Sequence, residues 1–186
     1  IDLGGAVAGP AVEVFVDEGK RGGYLLCAAI VPSADIAAAR RAMRALKPGN
    51  RRRLHMHSEG ASRRQEILAR FVAAPPISAA HLWRAPIRGR PERDVRDDCF
   101  RGLVAGVLEM GARRIVVESC SQDRQDEQVI GACLAEAGAI GRVSYAVVPA
   151  DSDELLWAAD LITWAYGAGG DARRAIAELL TIHDLP

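Results

Sequence analysis

The chain has 186 residues, 49% of them hydrophobic, which is enough for one domain with a sizeable core and short for two. Its 24 Lys and Arg balance 24 Asp and Glu, so no bulk charge draws it to nucleic acid or to a membrane surface, and any such contact must come from a local patch. No apolar run reaches the roughly 18 residues that span a bilayer, and no basic segment followed by an apolar one opens the chain, so a protein without membrane attachment is expected.

Residues 1–10 are rich in Gly and Ala without a period and read as a flexible lead-in to a single domain over 11–186. Val12, Val14 and Val16 then alternate with Glu13, Phe15 and Asp17, the period of a β-strand, and Gly19 begins a turn towards a second, antiparallel strand at Tyr24–Val31. An acid at the tip of this hairpin is a candidate metal ligand, although Asp17-Glu18-Gly19 is also ordinary turn chemistry. A helix with Ser33 as N-cap candidate follows to Leu46 and stops at Lys47-Pro48-Gly49-Asn50. Arg40, Arg41, Arg44, Lys47, Arg51, Arg52 and Arg53 fall within fourteen positions, as either a solvated face or a contact to a phosphate backbone.

Leu54-His55-Met56-His57 alternates and reads as a short strand with both imidazoles on one face, and Glu59 lies in a turn or at the start of a helix to Ala73. His55, His57 and Glu59 can form a metal or substrate contact, or serve as hydrogen-bonding residues near a surface. A strand at Ile77–Ile87 carries His81 and Trp83, and a core helix runs from Pro91 to Gly111. The apolar run Ile115-Val116-Val117 reads as a buried strand ending at Glu118, followed by a helix from Asp123 to Ala137 and a strand from Arg142 to Val148. In the next helix, Asp153 to Tyr166, Asp160 stands among apolar residues and needs a partner, a cation or a hydrogen bond to a neighbouring helix, unless it lies on an exposed seam. Ala172–Leu180 reads as a last short helix. Cys27, Cys99, Cys120 and Cys133 form no C-x-x-C pair and read as buried thiols in a reducing, cytoplasmic setting.

This order predicts an α/β fold, a mixed sheet with an antiparallel start and helices on both faces. Asp17 and Glu118 end two strands, Asp160 sits on a late helix, and the three can converge at one sheet edge with Glu59 as a fourth. Like carboxylates in contact repel, and a hard divalent cation, Mg²⁺ or Mn²⁺, relieves that repulsion and can serve phosphodiester cleavage.

Phe15-Val16-Asp17-Glu18-Gly19, the strand Leu25–Val31 and Leu155-Leu156-Trp157-Ala158-Ala159-Asp160-Leu161 resemble the domain-of-unknown-function 3800 family, a ribonuclease-H-like group of predicted nucleases. That family opens on Asp-Glu-Ser-Gly and carries a late Leu-Gln-x-Ala-Asp-Leu helix. The resemblance spans Val12 to Tyr166 and implies that Asp17 and Asp160 are metal-binding acids, with Glu118 in the place of an aspartate after a central strand. The serine expected after Glu18 is missing, since Gly19 follows directly. The sequence thus points to a metal-dependent nuclease or phosphodiesterase acting on DNA, RNA or a nucleotide. In it Asp17, Glu118 and Asp160 hold the metal, Glu59 or His57 assists proton transfer, and Arg40, Arg41, Arg44, Arg51, Arg52 and Arg53 contact phosphates. The alternative is a non-catalytic module on the same fold that binds a protein or nucleic acid, in keeping with 5% aromatic residues and little stacking surface; a homo-oligomer fits either reading. A small-molecule enzyme built on the His55/His57 pair ranks last, because no phosphate-cradling glycine loop or nucleophile elbow is present.

Overall fold

Val12–Gly19 (β1) is hydrogen-bonded on both sides, and its alternation sends successive side chains to opposite faces of the sheet. The computed structural model describes residues 10–186, so the lead-in read at 1–10 lies, apart from Pro10, outside the described residues. Tyr24–Pro32 (β2) returns antiparallel to β1 through a turn in which Gly22 and Gly23 take positive φ. Ala79–Ala85 (β3) pairs antiparallel with β2, while Ala112–Glu118 (β4) runs parallel to β1 and Ser144–Val148 (β5) parallel to β4. Leu180–Asp184 (β6) adds a parallel strand beyond β3, giving the order β5-β4-β1-β2-β3-β6. The mixed α/β sheet with an antiparallel start is therefore observed as read.

Helices cover both faces. Phe15, Leu25, Cys27 and Val116 face a layer made of Ile36–Leu46 (α1), Ala61–Ala73 (α2) and Leu156–Ala168 (α5). Val14, Val16, Leu26, Ile115 and Val117 face Glu92–Glu109 (α3) and Asp123–Glu136 (α4). Leu156 to Tyr166 are buried all round, as expected of a helix pressed between the sheet and other helices. Among the described residues no helix is long and apolar enough to cross a membrane.

Three local readings are corrected. The stretch Leu54–His57 is not a strand: Met56–Ser58 forms a 3₁₀ turn, because the Ser58 and Glu59 amides close on the carbonyls of His55 and Met56. The tail is a short helix, Gly170–Ala175 (α6), and a 3₁₀ turn at Ala177–Leu179, and Leu180 already belongs to β6. Ser33 opens a 3₁₀ turn with no side-chain cap bond, and α1 starts at Ile36.

Gly19 shows how tightly β1 and α5 meet. A Cβ there would lie 2.4 Å from Thr163 Cγ2, whose hydroxyl is fixed by donating to the Ala159 carbonyl at 2.8 Å. This close approach accounts for a glycine directly after Glu18. Gly19→Ala should destabilise the fold by about 1–3 kcal/mol through overpacking. Thr163→Ser, which removes only that methyl, should recover most of the loss in the double variant, as read from urea unfolding midpoints.

Candidate acid pocket

Strand parity decides where the first acids go. Asp17 shares the face of Phe15 and points towards α5, whereas Glu18 shares the face of Val16 and points towards α3 and α4. On β4, Glu118 shares the face of Val116, and one step beyond the paired residues Val16 and Val117 it stands beside Asp17. Asp160, on α5, faces the same space. Asp17, Glu118, Asp160, His55 and His57 line one cavity of 240 Å³ at this end of the sheet, with Trp164 in its wall.

The acids are not equally free. Asp17 is half-buried and accepts the Glu18 amide at 2.7 Å. Burial, then the charges of Glu118 and Asp160, raise its pKa well above the ordinary carboxylate value, against the opposing pull of Arg53 and Arg96. Glu118 is also raised, chiefly by burial, with Arg53 opposing at 3.4 Å. Asp160 accepts the Met56 amide at 2.8 Å, and its other oxygen lies 3.2 Å from His55 Nδ1. It therefore holds the loop that a sequence pattern had made a strand. The same hydrogen bond raises the His55 pKa. Glu59 is buried at 7% exposure and is not among the residues that line the cavity, although its neighbour His57 is.

The cationic run divides. Arg40 grips Asp153 through two bonds, of 3.2 and 2.5 Å, and Arg44 pairs with Glu154 at 2.6 Å, so both fasten α1 to the entry of α5. Arg52 pairs with Asp151 at 2.6 Å at the rim of a groove shared with Arg53, Ser119 and Glu118. Arg41 and Arg51 are exposed and make no ion pair among the described residues. Of the six arginines, Arg53 alone is bonded to one of the acids of the pocket.

Sequence reading missed the anchor behind the pocket. Arg96 is 1% exposed on α3 and binds Glu18, Tyr24 and both oxygens of Asp126, the latter at 2.8 and 2.5 Å. Its signal was an arginine inside the apolar stripe Val95, Cys99, Phe100 and Leu103. Among the described residues, Cys120, Asp123 and Asp126 also bring one ligating atom each within 4.8 Å of one another. Their negative charge is already engaged: Asp126 holds Arg96 and Arg93, and Asp123 accepts the Ser119 hydroxyl and the Cys120 amide. This second cluster reads as the frame of the β4–α4 turn, whereas the acids of the pocket face a cavity.

No protein-family model and no curated protein matches the chain. Among solved structures it is similar to a chain in the structure of the PCNA–RNase HII complex from Archaeoglobus fulgidus, with a TM-score of 0.50 and 16% identity over 90% of this chain and 76% of that one. The fold is thus ribonuclease-H-like.

The raised carboxyl groups fix a sign for stability. Between the unfolded-state value and the raised folded value the native state binds more protons, so stability falls as pH rises through that window, and the full penalty applies above it. Asp17→Asn should therefore melt at a higher temperature than the wild type at pH 7.5. The difference should shrink as pH falls below about 4, where the acid becomes protonated in the unfolded state as well. A lower melting temperature for Asp17→Asn at pH 7.5 would contradict the electrostatic account.

Proposed function

We propose that this chain is a divalent-metal-dependent nuclease, in which Asp17, Glu118 and Asp160 hold Mg²⁺ or Mn²⁺ and a nucleic-acid strand is the substrate. The observation that carries the reading is the convergence of three carboxylates, from two strand ends and one helix, on a single cavity where two of them are pushed towards protonation. The donor set fits such ions, being hard oxygen and largely free of competing cations. Among the described residues Glu118 has only the longer Arg53 contact, and Asp17 accepts a single backbone amide. The resemblance of Asp17-Glu18 and of the Asp160 helix to the domain-of-unknown-function 3800 family supports the same assignment, as does the ribonuclease-H-like fold.

When bound, the metal supplies activation of a water molecule and neutralises charge on the phosphoryl oxygens. The protein's own groups do the rest. Arg53, released from Glu118, reaches a phosphate oxygen at the edge of the pocket, and its planar fork suits that contact. His55 holds a proton on the imidazole next to Asp160 and, with His57, stands where a leaving oxygen could take one. Asp160 ties the histidine loop to α5, so proton donor and acid site move together.

A second reading, a non-catalytic nucleic-acid or protein binding module, is favoured by one observation. Both oxygens of Asp160 are within bonding distance of the histidine loop, and Glu118 has a cation beside it, so the pocket can persist as a structural feature. Binding of a strand without turnover in the presence of Mn²⁺ would identify that case.

Calorimetric titration with Mn²⁺ separates the two. The wild type should bind, and Asp17→Asn combined with Asp160→Asn should weaken binding by more than about a hundredfold and abolish cleavage. Unchanged affinity and cleavage in the double variant would remove the acids from the site. Arg53→Met should leave Mn²⁺ binding intact but weaken strand binding and lower its salt dependence by about one unit on a log–log plot.

A further inference from the structure

We propose that an apolar cavity next to the acid pocket receives the base of an unpaired nucleotide flanking the phosphate held at the acids. The substrate is then single-stranded or locally unpaired rather than a continuous duplex. The inference rests on the nuclease reading and specifies its substrate class. The cavity, of 460 Å³, lies between α2, α5 and α6, within the range of about 300–1,000 Å³ common to small-ligand sites. Leu68 and Val72 form one wall, Ala172 and Ala175 the other, and Trp164 links them. The small alanines leave a slot open, and Gln65 at its margin offers a donor and an acceptor to a base edge.

Position singles out a base as the occupant. Trp164 lines this cavity and the acid pocket alike, so the two adjoin at its side chain. On the opposite side, Glu118 is shared between the acid pocket and the polar groove of Arg52, Arg53 and Ser119. The three spaces form a chain through the acids, with cationic groups on one side and an apolar slot on the other. That asymmetry matches a strand whose backbone lies along the arginines and whose next base turns inwards.

Arg64 strengthens the match. Its guanidinium lies 5.7 Å from the centre of the Trp164 ring and donates to the carbonyls of Met56 and His57 at 2.8 Å each. It forms no ion pair with a carboxylate among the described residues and lines the slot beside Trp164. A base stacked in a duplex cannot enter a lateral slot without leaving the stack, which is least costly in an unpaired nucleotide. Trp164 is 9% exposed, so what it offers a base is the part of its ring that lines the slot, and a single such ring serves a single base, consistent with a chain poor in aromatic residues.

The test uses Asp17→Asn protein and a short single strand carrying 2-aminopurine at one position at a time. Quenching should be concentrated at one position, and the strand should bind at least about tenfold more tightly than its fully paired duplex. Ala172→Trp, which fills the slot, should restore the fluorescence at that position and weaken strand binding by about five- to a hundredfold. Equal quenching at all positions, equal affinity for the duplex, or no effect of Ala172→Trp would overturn the inference, as would a dimer that only Ala172→Trp dissociates. Failure of the nuclease reading looks different. In that case wild-type protein with Mn²⁺ leaves the strand uncut while position-specific quenching persists, whereas cleavage with a flat quenching profile sinks the base slot alone.

Discussion

Two neighbouring residues on a strand must face opposite ways, and in this protein that constraint separates structure from site. Asp17 turns towards α5 and shares a cavity with Glu118 and Asp160; Glu18 turns towards α3 and is held by Arg96. Arg96 in turn binds Tyr24 on β2 and Asp126 on α4, so the end of β1 is tied to three other elements by one buried guanidinium. Removing one partner from such a network leaves a buried charge unpaired, which typically destabilises by about 3–5 kcal/mol. The acid pocket can therefore be held in an unfavourable electrostatic arrangement because the opposite face of the same strand is fixed by a favourable one.

The pocket's geometry follows from the sheet order. A parallel β4 beside β1 brings two strand ends to the same edge, and the shared face of Phe15 and Val116 aims both acids at the helix that covers it. α5 packs against β1 and places a third acid there, and the bare backbone of Gly19 permits that closeness. The missing serine after Glu18 thus has a steric reason in Thr163.

Much of this was legible in the sequence and some was not, for physical reasons. Long apolar or alternating runs such as Val12–Val16 and Ile115–Val117 gave their strands, because burial on one or both faces writes a period into the residues. Asp17, Glu118 and Asp160 stood out as acids at strand ends or inside an apolar helix. The histidine loop was misread because its alternation is real, but the Met56 amide is satisfied by a carboxylate 104 residues away, which no local pattern records. β6 was hidden for a related reason: five residues at a sheet edge, mostly exposed, carry almost no burial period. The arginine run read as one patch, yet Arg40, Arg44 and Arg52 have their acids at Asp153, Glu154 and Asp151, far along the chain.

The arginines thus do not act as one patch. Six unpaired arginines would form a local positive patch open to any polyanion whatever the net charge. Instead three are neutralised by acids at the mouth of α5, and they make a rigid collar around the entry to the helix that carries Asp160. Arg53 is left against Glu118, where it is balanced by the same acid that a metal would claim. Under the proposed function, metal binding at the acids and release of Arg53 towards a phosphate would be two consequences of one exchange of partners.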